Sequence, residues 1–380
     1  MKFTCEKKLL EGALAPLSRM VSPKATLPIL ENILLDAGKD GVKLAATDLE
    51  VGMKTFISAK VDESGSVTVP ARLFFEVVSH LEEKLIEIEV ESGSSVLELK
   101  GEGFKYQFNI LNSDEYPVLP ETPAESKITL TQKVFKEVLK ETLFAAAPIR
   151  EDNPVLAGLL FKLDKEVLTV VALDGYRLAK RNLKNIKNSL TRTVIVPSRG
   201  LSELIKLLQD VDDTVEVYFG EHQIVFKLNE TILFSRLLEG QFPQFERVIP
   251  EKSEVTVKVG KENLLQALRR ASILALDRES PKLVKLNLKG NRITITANTQ
   301  DIGQAYEEVK VETGKKAEKE EVTVAFNAKY WIDALSTLDF EKIRIELGSS
   351  TNPGVLKPET GDDFIYVVMP VRTVSELVKV

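Results

Sequence analysis

Val170-Val171-Ala172-Leu173-Asp174-Gly175 sits mid-chain, and close variants of it stand on either side: Leu44-Ala45-Ala46-Thr47-Asp48-Leu49 and Ile295-Thr296-Ala297-Asn298-Thr299-Gln300. Leu173 follows Thr47 by 126 residues, and Asn298 follows Leu173 by 125. A second phrase keeps the period: Val67-Thr68-Val69-Pro70-Ala71-Arg72, Val194-Ile195-Val196-Pro197-Ser198-Arg199 and Val322-Thr323-Val324-Ala325-Phe326-Asn327. Their central valines are 127 and 128 residues apart. Two independent phrases at one period identify a threefold internal repeat.

Each copy reads as two helices and about eight strands. Leu73, Phe74, Val77, Val78 and Leu81 recur at helical spacing after the first Val-Pro phrase. Leu201, Leu204, Ile205 and Leu208 do so in copy two, and Trp331, Ile332, Leu335 and Leu338 in copy three. The first helices of copies two and three use Val134, Phe135, Val138 and Leu139, then Leu264, Leu265 and Leu268. Ser198 and Asn327 are N-cap candidates. Alternating runs such as Leu85-Ile86-Glu87-Ile88-Glu89-Val90 are half-buried strands. The fold class is α+β, three tandem two-helix domains. Prolines 117, 120 and 123, then 243 and 250, mark the joints, giving domains 1–125, 126–252 and 253–380.

The chain has 380 residues, 43% hydrophobic and 28% charged, enough for two to three ordinary cores. It contains no apolar run long enough to span a membrane and opens without a signal-like segment, so a cytoplasmic protein is expected. One cysteine, Cys5, excludes internal disulfides. The net charge of −6 argues against a chain coated in lysine. The cations gather on helices instead: Lys7, Lys8 and Arg19; Lys133, Lys136 and Lys140; Lys261, Arg269 and Arg270; and Arg72, Arg199, Lys206 and Lys329. Acidic residues concentrate in strands and turns.

Helices pack about 8–10 Å apart, so six around a circle give a radius of about 10 Å. Side chains take about 5 Å of that, leaving too little for duplex DNA, whose major groove alone is about 8.5 Å deep. Twelve helices leave about 14 Å. A ring for duplex DNA therefore takes two chains, head to tail, with six domains and helices lining the hole.

Thr26-Leu27-Pro28-Ile29-Leu30-Glu31-Asn32, Ala172-Leu173-Asp174-Gly175-Tyr176-Arg177-Leu178-Ala179, the joint from Phe234 to Pro250, and Tyr366-Val367-Val368-Met369-Pro370-Val371-Arg372 together resemble the bacterial sliding-clamp family, the beta subunits of DNA polymerase III. The similarity runs in order from residue 1 to about 372. It implies a non-catalytic processivity factor of chromosomal replication that encircles double-stranded DNA without reading sequence. Implied partners are the replicative polymerase, the clamp loader, other proteins carrying a clamp-binding motif, and a second copy; no cofactor or metal is implied. It implies a peptide groove of Leu156, Leu173, Gly175, Tyr176, Arg177, Leu178, Pro243, Arg247, Val248, Tyr330, Val367, Val368, Met369, Pro370 and Arg372. Apolar walls there bury a leucine or phenylalanine, and the three arginines offer anchors. DNA-facing positions are Lys24, Arg72, Arg150 and Arg199, and the dimer contact sets Tyr106 and Phe108 against Ile273 and Leu274. The chain departs from the family pattern at Leu173, Tyr176, Gln244, Glu246, Pro154 and Val155, and continues from Thr373 to Val380.

Two other classes compete. A repeat-built enzyme needs convergent groups, yet His80 and His222 fall in separate copies, and no zinc spacing or phosphate-cradling loop occurs. Asp48, Asp174 and Asp301 recur near the repeat period, which turn chemistry explains. A scaffold that ignores DNA is the third class.

Overall fold

The computed structural model describes residues 1–22, 27–120, 127–149, 153–187, 190–251, 253–275, 282–299, 303–313 and 320–372. Lys24, Arg150, Asp301 and the Thr373–Val380 tail lie outside them. Six helices are present among the described residues: α1 (Lys7–Met20), α2 (Ala71–Ser79), α3 (Gln132–Leu143), α4 (Ser198–Leu207), α5 (Lys261–Ile273) and α6 (Ala328–Thr337). Each follows directly on a strand.

The helical spacings are realised as buried faces: Phe135, Val138 and Leu139 on α3, Leu264, Leu265 and Leu268 on α5, Trp331 and Leu335 on α6. On α2 the face is narrower than the sequence pattern, because Phe74 and Val78 are buried while Leu73 stands in solvent. Asn327 caps α6, its side chain accepting from the Lys329 N–H at 3.0 Å. Ser198 is the first residue within α4 rather than the residue before it.

Among the described residues each copy holds eight core strands, with extra pieces at Lys60–Glu63, Leu111–Asn112 and Glu312–Thr313. The chain divides into two compact units, residues 1–136 with 199–237, and residues 137–198 with 238–380. The first unit contains a nine-stranded sheet that crosses from copy one into copy two. There Val51–Ile57 pairs antiparallel with Thr231–Arg236, setting Gly52 opposite Phe234. The second unit repeats this seam between copies two and three: Arg177–Leu183 pairs with Phe364–Val368, setting Leu178 opposite Val367.

Two smaller sheets complete the units. In the first unit a five-stranded sheet ends at Phe104–Asn109; in the second a four-stranded sheet ends at Gly303–Lys310. These edge strands occupy the places that are paired at the seams.

Candidate peptide-binding groove

The phrase that marks the repeat is a turn. Asp174 Oδ1 accepts the backbone N–H groups of Tyr176 (2.9 Å) and Arg177 (3.0 Å), and Gly175 takes φ +92°, a region that glycine enters freely. Asp48 does the same for Glu50 and Val51, at 3.1 and 2.9 Å. The recurring aspartates that are described are thus turn formers.

The second-unit turn brings Leu173 and Leu178 together across its ladder and lays them beside Val367 and Phe245 in one apolar cluster. Leu156, Phe242 and Ile249 pack on this cluster while partly exposed, so the apolar floor reaches the surface. The sequence reading missed Phe242, Phe245 and Ile249, although all three lie in the joint from Phe234 to Pro250. Met369 extends the seam, donating its N–H to Tyr176 O at 2.8 Å, and its side chain is exposed. Pro243, Arg247, Val248 and Arg372 are exposed, and Pro370 is half-buried. Val368 sits differently from its neighbour. Alternation along the strand turns it away from Val367, and it is fully buried outside the groove cluster.

Tyr330 stands near Tyr176, ring centres 6.3 Å apart at 18°. Arg177 does not project freely as an anchor. Its Nε donates to Asp174 Oδ2 (2.9 Å) and its Nη1 to Asp333 Oδ2 (2.7 Å), and only 10% of its side chain is exposed. Burial works against its charge, but Tyr366, Asp333 and Asp174 outweigh it and raise its pKa.

Several helix cations are likewise engaged. Arg199 pairs with Asp48, Arg19 with Glu203 (2.8 Å), Lys136 with Asp210 (3.0 Å) and Arg270 with Glu307 (2.6 Å). Lys8, Arg72, Lys133 and Lys140 are exposed and have no carboxylate partner among the described residues. Of the contact residues expected at a dimer interface, Tyr106 and Ile273 are 43% and 64% exposed. Leu274 is half-buried and its Cδ1 lies 4.0 Å from where a Cβ on Gly303 would stand. Phe108 is buried in the single chain, edge-on to Phe74 at 5.3 Å.

His80 Nδ1 lies 2.7 Å from Glu76 O at the end of α2, and His222 is exposed beside Glu221. Among the described residues no three His, Cys, Asp or Glu side chains gather as a metal site, and no helix is long and apolar enough to cross a membrane.

Three family models match in succession: the N-terminal, central and C-terminal domains of the DNA polymerase III beta subunit, over residues 1–120, 129–244 and 246–372. The chain is 31% identical to the beta sliding clamp of Bacillus subtilis and 32% to that of Halalkalibacterium halodurans, over 98% of this chain and 100% of each relative. The crystal structure of the Bacillus subtilis DNA polymerase sliding clamp superposes with a TM-score of 0.92 at 30% identity, covering 98% of this chain and 99% of that one. A Pseudomonas aeruginosa sliding clamp bound to griselimycin gives 0.91 at 30% identity, covering 98% and 100%. The chain belongs to the DNA polymerase III beta subunit family.

Proposed function

We propose that this protein is a processivity factor of DNA replication. In this reading two copies close head to tail into a six-domain ring, with domains at 1–125, 126–252 and 253–380, and the ring travels on duplex DNA. It holds by enclosure and catalyses nothing itself. Polymerase, clamp loader and other partners dock through the groove at the second seam.

The observation that carries this reading is the pair of edges left unpartnered among the described residues. Copy one lends Val51–Ile57 to a seam and copy two lends Arg177–Leu183; in copy three the same place is held by Gly303–Lys310, which ends its sheet. Copy two supplies Thr231–Arg236 and copy three Phe364–Val368; in copy one the same place is held by Phe104–Asn109, also an edge. An unpaired edge offers a row of N–H and C=O groups to another strand. Carrying the register of both seams to these edges sets Gln304 opposite Gln107 of a second copy. Ala305 then meets Tyr106, and Tyr306 meets Lys105. Leu274 flanks one edge and exposed Tyr106 lies on the other, an apolar supplement to the ladder.

Exposed Lys8, Arg72, Lys133 and Lys140 give the helices cations for phosphates, contacts that carry no sequence information. The test is retention. Loaded onto closed circular DNA, the protein is expected to stay with the circle through gel filtration and to be released when one cut linearises it. Equal retention on both forms overturns the ring.

A further inference from the structure

Arg177 sits inside a small box. Beyond its bonds to Asp174 and Asp333, its guanidinium carbon lies 4.8 Å from the centre of the Tyr330 ring and 5.8 Å from that of Phe144. Tyr366 fixes Tyr330 from below, its hydroxyl donating to Tyr330 O at 2.8 Å. Asp333 is shared, because the same Oδ2 that accepts from Arg177 accepts from Lys329 Nζ at 2.6 Å. Two carboxylates and two cations balance, so the mostly buried arginine carries no net demand for an acidic ligand.

The first seam carries the same device with the charges exchanged. Asp48 forms the turn and reaches Arg199 on α4, the second helix of the following copy. In the second seam, Asp174 forms the turn and reaches α6, again the second helix of the following copy, through Arg177 and Asp333. Each seam thus ties its turn to the next helix by ion pairing. Among the described residues, only in the second seam does the tied turn present Tyr176 at an apolar groove, and only there does an aromatic residue of the tied helix, Tyr330, stand against it.

We propose that Asp333 is a positioning residue for the groove: by completing the ion pairing of Arg177 it holds the Tyr176 turn and Tyr330 in register, so that the two rings form one wall of the peptide site. The proposal rests on the groove reading given above. Arg177 acts through this latch and makes no contact of its own with the peptide. Removing one partner of a mostly buried ion pair leaves the other charge uncompensated, and the guanidinium is then free to turn out and unseat Tyr330.

The test uses the full-length protein and a fluorescein-labelled pentapeptide ending in leucine and phenylalanine, followed by anisotropy. Wild-type binding that Met369→Asp abolishes fixes the groove as the site. Asp333→Asn is then expected to weaken binding about fivefold or more and to change the tyrosine signal in near-ultraviolet circular dichroism. Asp333→Glu restores affinity to within about twofold. The double variant Arg177→Gln with Asp333→Asn binds no more weakly than Arg177→Gln alone, since one latch is broken either way. Wild-type affinity in Asp333→Asn, or losses that multiply in the double variant, overturns the proposal, the latter by giving Arg177 its own contact with peptide. Should Asp333→Asn fail to fold, Tyr330→Leu decides: a loss of about fivefold or more supports the wall, and unchanged affinity removes it. A wild-type protein that ignores the peptide instead brings down the groove reading, and this proposal with it.

Discussion

Glu141, on α3, is a carboxylate that the fold keeps from water. Burial pushes it up to about 7 from an ordinary 4.5; Arg181 opposes that rise and Glu137 adds to it. Arg181 Nε lies 2.9 Å from Glu141 Oε2, near enough for attraction but too poorly aligned to hydrogen-bond. Because the folded value is raised, the native chain keeps this proton where the unfolded chain gives it up. The favourable contribution is complete below about pH 4.5 and drains away as pH rises to about 7, by up to about 3 kcal/mol. Urea denaturation at pH 5 and pH 8 is expected to show a steeper loss for wild type than for Glu141→Gln. Equal slopes would contradict the assignment. Nothing in the sequence marked Glu141, since burial of one helical carboxylate depends on which face the fold covers. Asp48 and Asp174 were legible because an aspartate turn is a local device. Leu49 was not: it holds φ +78° while 53% exposed, where copy two uses Gly175.

At the scale of elements, helices were readable because their apolar spacing is local, and the main error, exposed Leu73, falls at the rim of a face. The seams were not readable. Gly52 and Phe234 pair across 182 residues, and no local pattern announces which strand of one copy meets which of the next. Their contact also explains why the two seams differ. A Cβ on Gly52 would fall 2.1 Å from Phe234 Cζ, so the phenylalanine ring covers the backbone where the second seam has Leu178 beside Val367. Overpacking of this kind costs about 1–3 kcal/mol. Gly52→Ala is expected to lower stability by that amount in urea denaturation, and Gly52→Ala with Phe234→Leu to recover part of it. An unaffected Gly52→Ala would mean that the ring moves aside freely. The groove was legible only through resemblance, which supplied Leu173 and Leu178 but passed over Phe242 and Phe245.

For the whole molecule, the repeat was plain in the sequence, and twelve helices are what a ring wide enough for a duplex would take. The two edge strands on which the proposed ring rests emerged only with strand order. Ile273, 64% exposed at the end of α5, offers a direct probe, because a charge there leaves the single chain's core untouched. Ile273→Asp is expected to shift the mass in light scattering from twice 42.3 kDa to that of one chain, with circular dichroism unchanged. A variant that keeps the doubled mass would place the contact elsewhere.

Among the described residues the middle repeat has no sheet to itself. Thr231–Arg236 is spent on the first nine-stranded sheet and Arg177–Leu183 on the second, and its residues fall in both compact units. Sequence periodicity and compact packing therefore follow different borders. Proteolysis that trimmed the molecule to its central third would leave a fragment with two raw flanks, prone to clump, whereas a break between the halves would divide the strands that repetition counts as one.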